Sequence, residues 1–204
     1  RLGRRLDDSA RQMTALERQL EDARREATVD GLTGLMNRRA FDQTIRTLAG
    51  TAMNSGDPLA LLVVDIDHFK AVNDTWGHAV GDAVLQLVAR RLAHRARAED
   101  KPARFGGEEF VLLLPGTTLE EAAAIGDALR ADLESQRLVL RDTQQPIGTV
   151  TASIGVALYE PGERLADWVG RADAALYRAK AAGRNRVEVA PLAGSLRETN
   201  PEAA

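Results

Sequence analysis

The stretch Arg104-Phe105-Gly106-Gly107-Glu108-Glu109-Phe110 constrains the fold of this 204-residue chain more than any other. Two glycines followed by two acids sit between strand-like runs, Pro102–Phe105 and Phe110–Leu114. A Gly-Gly pair between such runs predicts a tight β-hairpin in which both central residues take positive φ. The fold must therefore contain an antiparallel strand pair. A bare glycine tip also lets a bulky polyanion approach the backbone. Acids are poor strand residues, so two carboxylates beside the turn call for another explanation. The simplest is a phosphate-accepting turn with a metal-binding acid at its edge.

The rest of the chain alternates helical and strand patterns. Leu59–Val64 is a continuous apolar run, expected to be a buried strand ending in Asp65-Ile66-Asp67. Asn37 can cap a helix running to about Leu48. His78–His94 and Leu119–Leu133 carry apolar residues at helical spacing. Thr149–Tyr159 alternates as a strand does, and Leu165–Ala182 is a helix with Gly183 as its stop. Arg186–Val189 is expected as a last short strand. These elements predict an α+β fold with a mainly antiparallel central sheet flanked by helices.

Residues 1–29 differ in character. Leu2, Ser9, Leu16 and Ala23 recur every seven residues, as do Leu6, Met13, Leu20 and Ala27. These are the a and d positions of a two-stranded coiled coil. The expected organisation is a stalk over 1–29, a folded domain over 30–190 and a flexible tail over 191–204. The chain starts inside a helical pattern without Met, so an upstream sensor domain is expected to be missing from it. A net charge of −3 offers no argument for a nucleic-acid partner. The longest apolar run, six residues, is far short of a membrane span. The absence of cysteine excludes disulfides and thiolate metal sites. A cytoplasmic location is the expectation, with any membrane anchor lying upstream.

Several spaced motifs accompany the hairpin. Asp65 closes an apolar strand, where open sheets commonly bind ligands. Lys70 follows three residues after Asp67. Asn73, His78 and Asp82 lie in Asn73-Asp74-Thr75-Trp76-Gly77-His78-Ala79-Val80-Gly81-Asp82, with His78 and Asp82 one helical turn apart. Lys180 and Arg184 flank the end of the last helix. Arg97 and Asp100 form an Arg-x-x-Asp string separated from Gly106 by five residues.

Taken together, these motifs resemble the GGDEF-domain diguanylate cyclases, in the Glu-containing form of the signature, over about Asp30 to Val189. The resemblance implies a nucleotidyl-cyclase-like fold with a ferredoxin-like βαββαβ core. It implies joining of two GTP molecules into cyclic di-GMP with release of two pyrophosphates, at a homodimer interface brought together by the coiled coil. It implies two Mg²⁺ (or Mn²⁺) ions per active site, held by Asp65, the Ile66 carbonyl and Glu108, with Glu109 a further candidate ligand. Glu108 and Lys70 take the catalytic roles. Gly106 and Gly107 cradle the substrate, and Lys180 and Arg184 hold the triphosphate. Asn73 and Asp82 read guanine; a carboxylate accepts from both N1–H and the 2-amino group, a pairing adenine cannot supply. His78 helps position the substrate or supports the loop. Arg97 and Asp100 match a product-binding inhibitory site.

Successive strand residues point to opposite faces. Glu108 and Glu109 are therefore not expected to face one ion together unless the turn twists them.

Overall fold

The computed structural model describes residues 2–140 and 145–192, and the side chains of residues 2–11, 22, 24 and 25 fall outside the described set. Helix α1 (Leu2–Thr28) leads into a turn at Asp30 and then into α2 (Arg38–Ser55). Asn37 caps α2 as expected, its side-chain oxygen accepting from the Ala40 amide at 3.0 Å. The helix runs seven residues beyond Leu48, to Ser55. Ala49 and Ala52 continue its buried face, and Gly56 in the left-handed region stops it.

Strand β1 (Leu59–Ile66) is buried at every position, which explains its continuous apolar run. Two helices follow it, α3 (Phe69–Trp76) and α4 (His78–Arg95). The eight-residue α3 has too few apolar residues to announce itself by periodicity; Phe69 is its one buried residue. The hairpin of β2 (Lys101–Gly106) and β3 (Glu109–Pro115) comes next, then α5 (Leu119–Glu134). A capping box between Thr118 and Glu121 opens α5. A small hairpin, β4 (Arg137–Val139) with β5 (Pro146–Thr149), was not anticipated from the sequence. It pairs outside the central sheet and buries little. Strand β6 (Ala152–Leu158), helix α6 (Leu165–Ala181) and strand β7 (Val187–Val189) complete the fold. The expected tail lies mostly in residues 193–204, outside the described set.

The central sheet has the order β2-β3-β1-β6-β7, antiparallel except where β7 joins β6. Its first four strands, with α4 and α5 as crossovers, make the expected βαββαβ core. The sheet is packed on both sides. Val84, Val88 and Leu92 of α4 and Leu129 and Leu133 of α5 cover one face, against Leu62, Val64 and Leu112. Phe41 and Ile45 of α2 and Trp168 and Leu176 of α6 cover the other, against Leu61, Val63 and Leu113.

Two details fix α6 on its face. The Trp168 indole N–H donates to the Ala157 carbonyl at 3.1 Å. Gly155 lets the helix seat directly on β6, because a Cβ there would overlap backbone atoms of Ala172 and Leu176. The last turn of α6 is thereby aimed at the end of β1, which is where the acids are.

Candidate active site

The central hairpin corrects one expectation. Gly106 is the last residue of β2 and pairs with Glu109, so the two-residue turn is Gly107-Glu108 rather than Gly106-Gly107. Only Gly107 of the two glycines has positive φ, at 42°. The register slips between Arg104 and Gly106, a bulge that takes up Phe105 and advances the turn by one residue.

This shift decides how the acids are placed. Glu108 belongs to the turn and escapes the strict alternation of strand residues. Glu109 opens β3 directly opposite Asp65. Directly opposed residues in an antiparallel pair share a face, so Asp65 and Glu109 look to the side covered by α2 and α6. Ser153 opposes Asp65 from the other neighbouring strand.

Lys180, in the last turn of α6, reaches Asp65 with 2.8 Å between its Nζ and the carboxylate Oδ2. The Asp65 side chain is 7% exposed and that of Lys180 34%. Burial pushes the Asp65 carboxyl above its ordinary value, and Asp67 adds to the effect; Lys180 and Arg184 pull the other way. Glu108 is likewise raised, first by burial, then by the charge of Asp65 and of Glu109, with Lys180 opposing. Asp65 and Glu108 thus share the charge of one ammonium group, Glu109 stands beside them, and Arg184 is close enough to act on Asp65.

Burial raises a carboxylate's proton affinity, and a neighbouring like charge raises it further. Such a set fits a divalent cation. Mg²⁺ takes one or two carboxylates plus substrate phosphates rather than a closed protein cage. Among the described residues no group of three or more His, Asp or Glu side chains is arranged to hold a metal ion.

The other predicted residues divide by location. Ile66 ends β1 between the two aspartates. Lys70 is exposed on α3, one turn beyond the strand. Asn73 is half-buried on the same helix and packs against Gly81 of α4. His78 and Asp82 are exposed on the first turns of α4. Asp82 is therefore adjacent in sequence to the glycine that Asn73 touches.

Arg97 and Asp100 lie in the loop before β2, at the far end of that strand from the turn, roughly 20 Å away by strand rise. Asp100 is 5% exposed. Its Oδ2 accepts from the Arg97 amide at 2.7 Å, while its buried Oδ1 has no hydrogen-bond partner. Arg97 itself is exposed.

Two residues have roles that sequence reading did not assign. The Arg104 guanidinium donates to the Gly107 carbonyl at 2.8 and 3.2 Å and pairs with Asp30 at 3.3 Å. It ties the turn that follows α1 to the glycine turn. The pairing of Asp30 with an arginine 74 residues away leaves no local signal in the sequence. Asp67, the last residue of Asp65-Ile66-Asp67, was given no role. Its carboxylate is filled by Thr151, Ser153 and the Asn185 amide at 2.7–3.0 Å, so it does not join Asp65 as a free ligand.

Helix α1 displays Met13, Leu16 and Leu20 at 64%, 63% and 52% exposure. These are the described large members of the expected a and d stripe; Leu2, Leu6 and Ser9 lie among the side chains outside the described set. No helix among the described residues is long and apolar enough to cross a membrane.

Comparison with known proteins agrees with this architecture. The diguanylate cyclase VdcA of Vibrio cholerae is 39% identical over 186 residues, 91% of this chain and 54% of that protein. The diguanylate cyclase DgcP of Pseudomonas aeruginosa is 42% identical over 186 residues, 91% of this chain and 27% of that protein. The chain thus spans about half or less of the length of these relatives. The crystal structure of the coiled coil and GGDEF domain of DgcB from Caulobacter crescentus, in complex with c-di-GMP, superposes with a TM-score of 0.89 at 41% identity, covering 93% of this chain and 99% of that one. The sequence profile described as "Diguanylate cyclase, GGDEF domain" matches residues 27–186. With its cyclase core, glycine turn and converging acids, this chain belongs to the GGDEF-domain diguanylate cyclase family.

Proposed function

We propose that this chain condenses two GTP molecules into cyclic di-GMP, one GTP being held by each of two facing protomers. The observation that carries the reading is the meeting of Asp65, Glu108, Glu109 and Lys180 beside a glycine turn. Gly107 offers backbone without a side chain, leaving room for phosphate. Lys180 and Arg184 sit at the end of α6, where they can neutralise the β- and γ-phosphates. Arg184 suits bidentate binding. Asn73 and Asp82 take the guanine base, which selects GTP over ATP.

Asp65, the Ile66 carbonyl and Glu108, with Glu109 beside them, would hold two divalent cations. Such ions, when bound, stabilise charge on the attacking and leaving oxygens of an in-line displacement. The chain's own residues position and neutralise. The 3′-hydroxyl of one GTP attacks the α-phosphorus of the other. A new O–P bond forms there, and the bond from that phosphorus to the pyrophosphate oxygen breaks. Glu108, in the turn beside the phosphate site, takes the hydroxyl proton. Lys70 steadies the charge that develops on the phosphoryl oxygens. A second, symmetric step closes the ring.

Because each protomer supplies half of the chemistry, a lone chain is inactive. The stripe on α1 brings two chains together as a coiled coil, and an upstream sensor acts through it. Arg97, with Asp100, binds product at a separate surface and restrains the enzyme.

The test is to incubate the purified chain with GTP and Mg²⁺, with and without ATP, and to identify the products by mass spectrometry. Cyclic di-GMP and pyrophosphate in a 1:2 ratio are expected in both cases. GTP binding without turnover at high protein concentration, or a mixed guanine–adenine product, overturns the reading.

A further inference from the structure

Asp67 is 7% exposed and fully engaged, yet none of its partners is a ligand site. Its Oδ1 accepts from the Ser153 hydroxyl at 2.7 Å. Its Oδ2 accepts from the Thr151 hydroxyl at 2.8 Å and from the Asn185 backbone amide at 3.0 Å. Its own amide donates to the Thr151 carbonyl at 2.9 Å. The third of these bonds is the informative one. It joins the end of β1 to a loop 118 residues away, immediately after Arg184.

That loop is unusual. Gly183, Arg184 and Asn185 have consecutive φ values of 112°, 63° and 45°. Two non-glycine residues in succession in the left-handed region persist only where the surroundings hold them. The Arg184 amide is held by the Ala179 carbonyl at 3.0 Å. The Asn185 side chain is held from α5, donating to Glu134 at 2.9 Å and accepting from Arg130 at 3.2 Å. The Asn185 backbone is held by Asp67. The guanidinium presented from this loop lies close enough to Asp65 to favour its charged form.

We infer that Asp67 is a positioning residue: its carboxylate, through the Asn185 amide, holds the left-handed 183–185 loop so that Arg184 faces the triphosphate. This rests on the reading of Arg184 as a phosphate-binding group. Asp67 therefore serves polyphosphate recognition without touching substrate or metal. Its two-residue spacing from Asp65 reflects two jobs, one at the acidic site and one at the loop that supplies its cation.

The test uses the full chain with two ligands. One is 3′-deoxy-GTP, which lacks the attacking hydroxyl and so cannot be joined. The other is GMP, which lacks the β- and γ-phosphates. With Mg²⁺ present, Asp67→Ala is expected to weaken 3′-deoxy-GTP on the order of tenfold, the loss of about one charge-assisted contact, and GMP less than about twofold. In an Arg184→Ala background the same change should cost nothing further. Asp67→Asn, whose amide oxygen can still accept from Asn185, should lose about threefold on 3′-deoxy-GTP alone, and it stands as the test if the alanine variant does not fold. Ser153→Ala removes a bond on the far oxygen and should lower the melting temperature with both affinities unchanged.

Equal losses for the two ligands, full additivity with Arg184→Ala, or unchanged binding in Asp67→Asn would overturn the inference. Wild-type chain that fails to bind 3′-deoxy-GTP at all overturns the cyclase reading itself, a result distinct from each of these.

Discussion

Gly81→Ala separates a structural from a recognition role within a single methyl group. Gly81 lies in the first turn of α4, and a Cβ there would overlap the Asn73 amide oxygen, with Phe69 Cζ only 3.3 Å away. Alanine is intrinsically the better helix residue by about 1 kcal/mol. Overpacking costs about 1–3 kcal/mol, but the neighbour here is the end of a side chain that can rotate. The two effects nearly offset, so the net change in stability should be about 0–2 kcal/mol of loss. Recognition has no such compensation. Asn73 must leave its pose, and the one or two hydrogen bonds it would give guanine are worth about 1–3 kcal/mol. Affinity for GTP should therefore fall about 5- to 150-fold. Isothermal titration with 3′-deoxy-GTP, alongside thermal unfolding of the apo chain, reads both quantities. A variant that loses stability but keeps its affinity for 3′-deoxy-GTP would refute the assignment of Asn73 as a guanine reader.

Glu108→Gln removes one of the crowded acids and should abolish turnover while leaving the apo chain as stable as wild type or more so at pH 7. The sign follows from the raised affinity for protons at Asp65 and Glu108. Their contribution favours the folded state below the carboxylates' ordinary values and is lost as pH rises through the raised ones, so at neutral pH the unliganded site costs stability. Thermal unfolding with and without Mg²⁺ plus 3′-deoxy-GTP checks this; a destabilised apo variant contradicts it. Arg97→Ala should raise the product concentration needed for half-inhibition at least about tenfold, as read from initial rates with added cyclic di-GMP; an unchanged inhibition curve removes the site. Replacing Leu16 and Leu20 together by Glu places charge in the expected seam and should shift the chain to monomer in sedimentation, with activity falling in parallel. Retained dimer would show that the stripe is not the interface.

Much of the fold was legible because its signals are local. The apolar run of β1, the Asn37 cap and the Gly183 stop each act within a few residues. The boundaries that moved did so for tertiary reasons. Helix α2 continues because Ala49 and Ala52 find a sheet to cover. The glycine turn shifts by one residue because a bulge absorbs Phe105. The same shift takes Glu108 out of the strand alternation, since it is a turn residue, while Glu109 faces the same side as Asp65. Asp65 and Lys180, from motifs 115 residues apart, lie 2.8 Å from each other, with Glu108 close enough to feel both charges. Arg104 and Asp67 went unassigned because their partners lie 74 and 118 residues away and no spacing rule reaches that far.

The central claim is that one chain holds half of the chemistry. Measuring initial rate per chain against chain concentration, with the dimer fraction obtained by sedimentation under the same conditions, tests it most directly. The account predicts a rate per chain that vanishes at dilution and rises in proportion to the dimer fraction, with cyclic di-GMP as the product throughout. A rate per chain that stays constant where the chain is monomeric would contradict it.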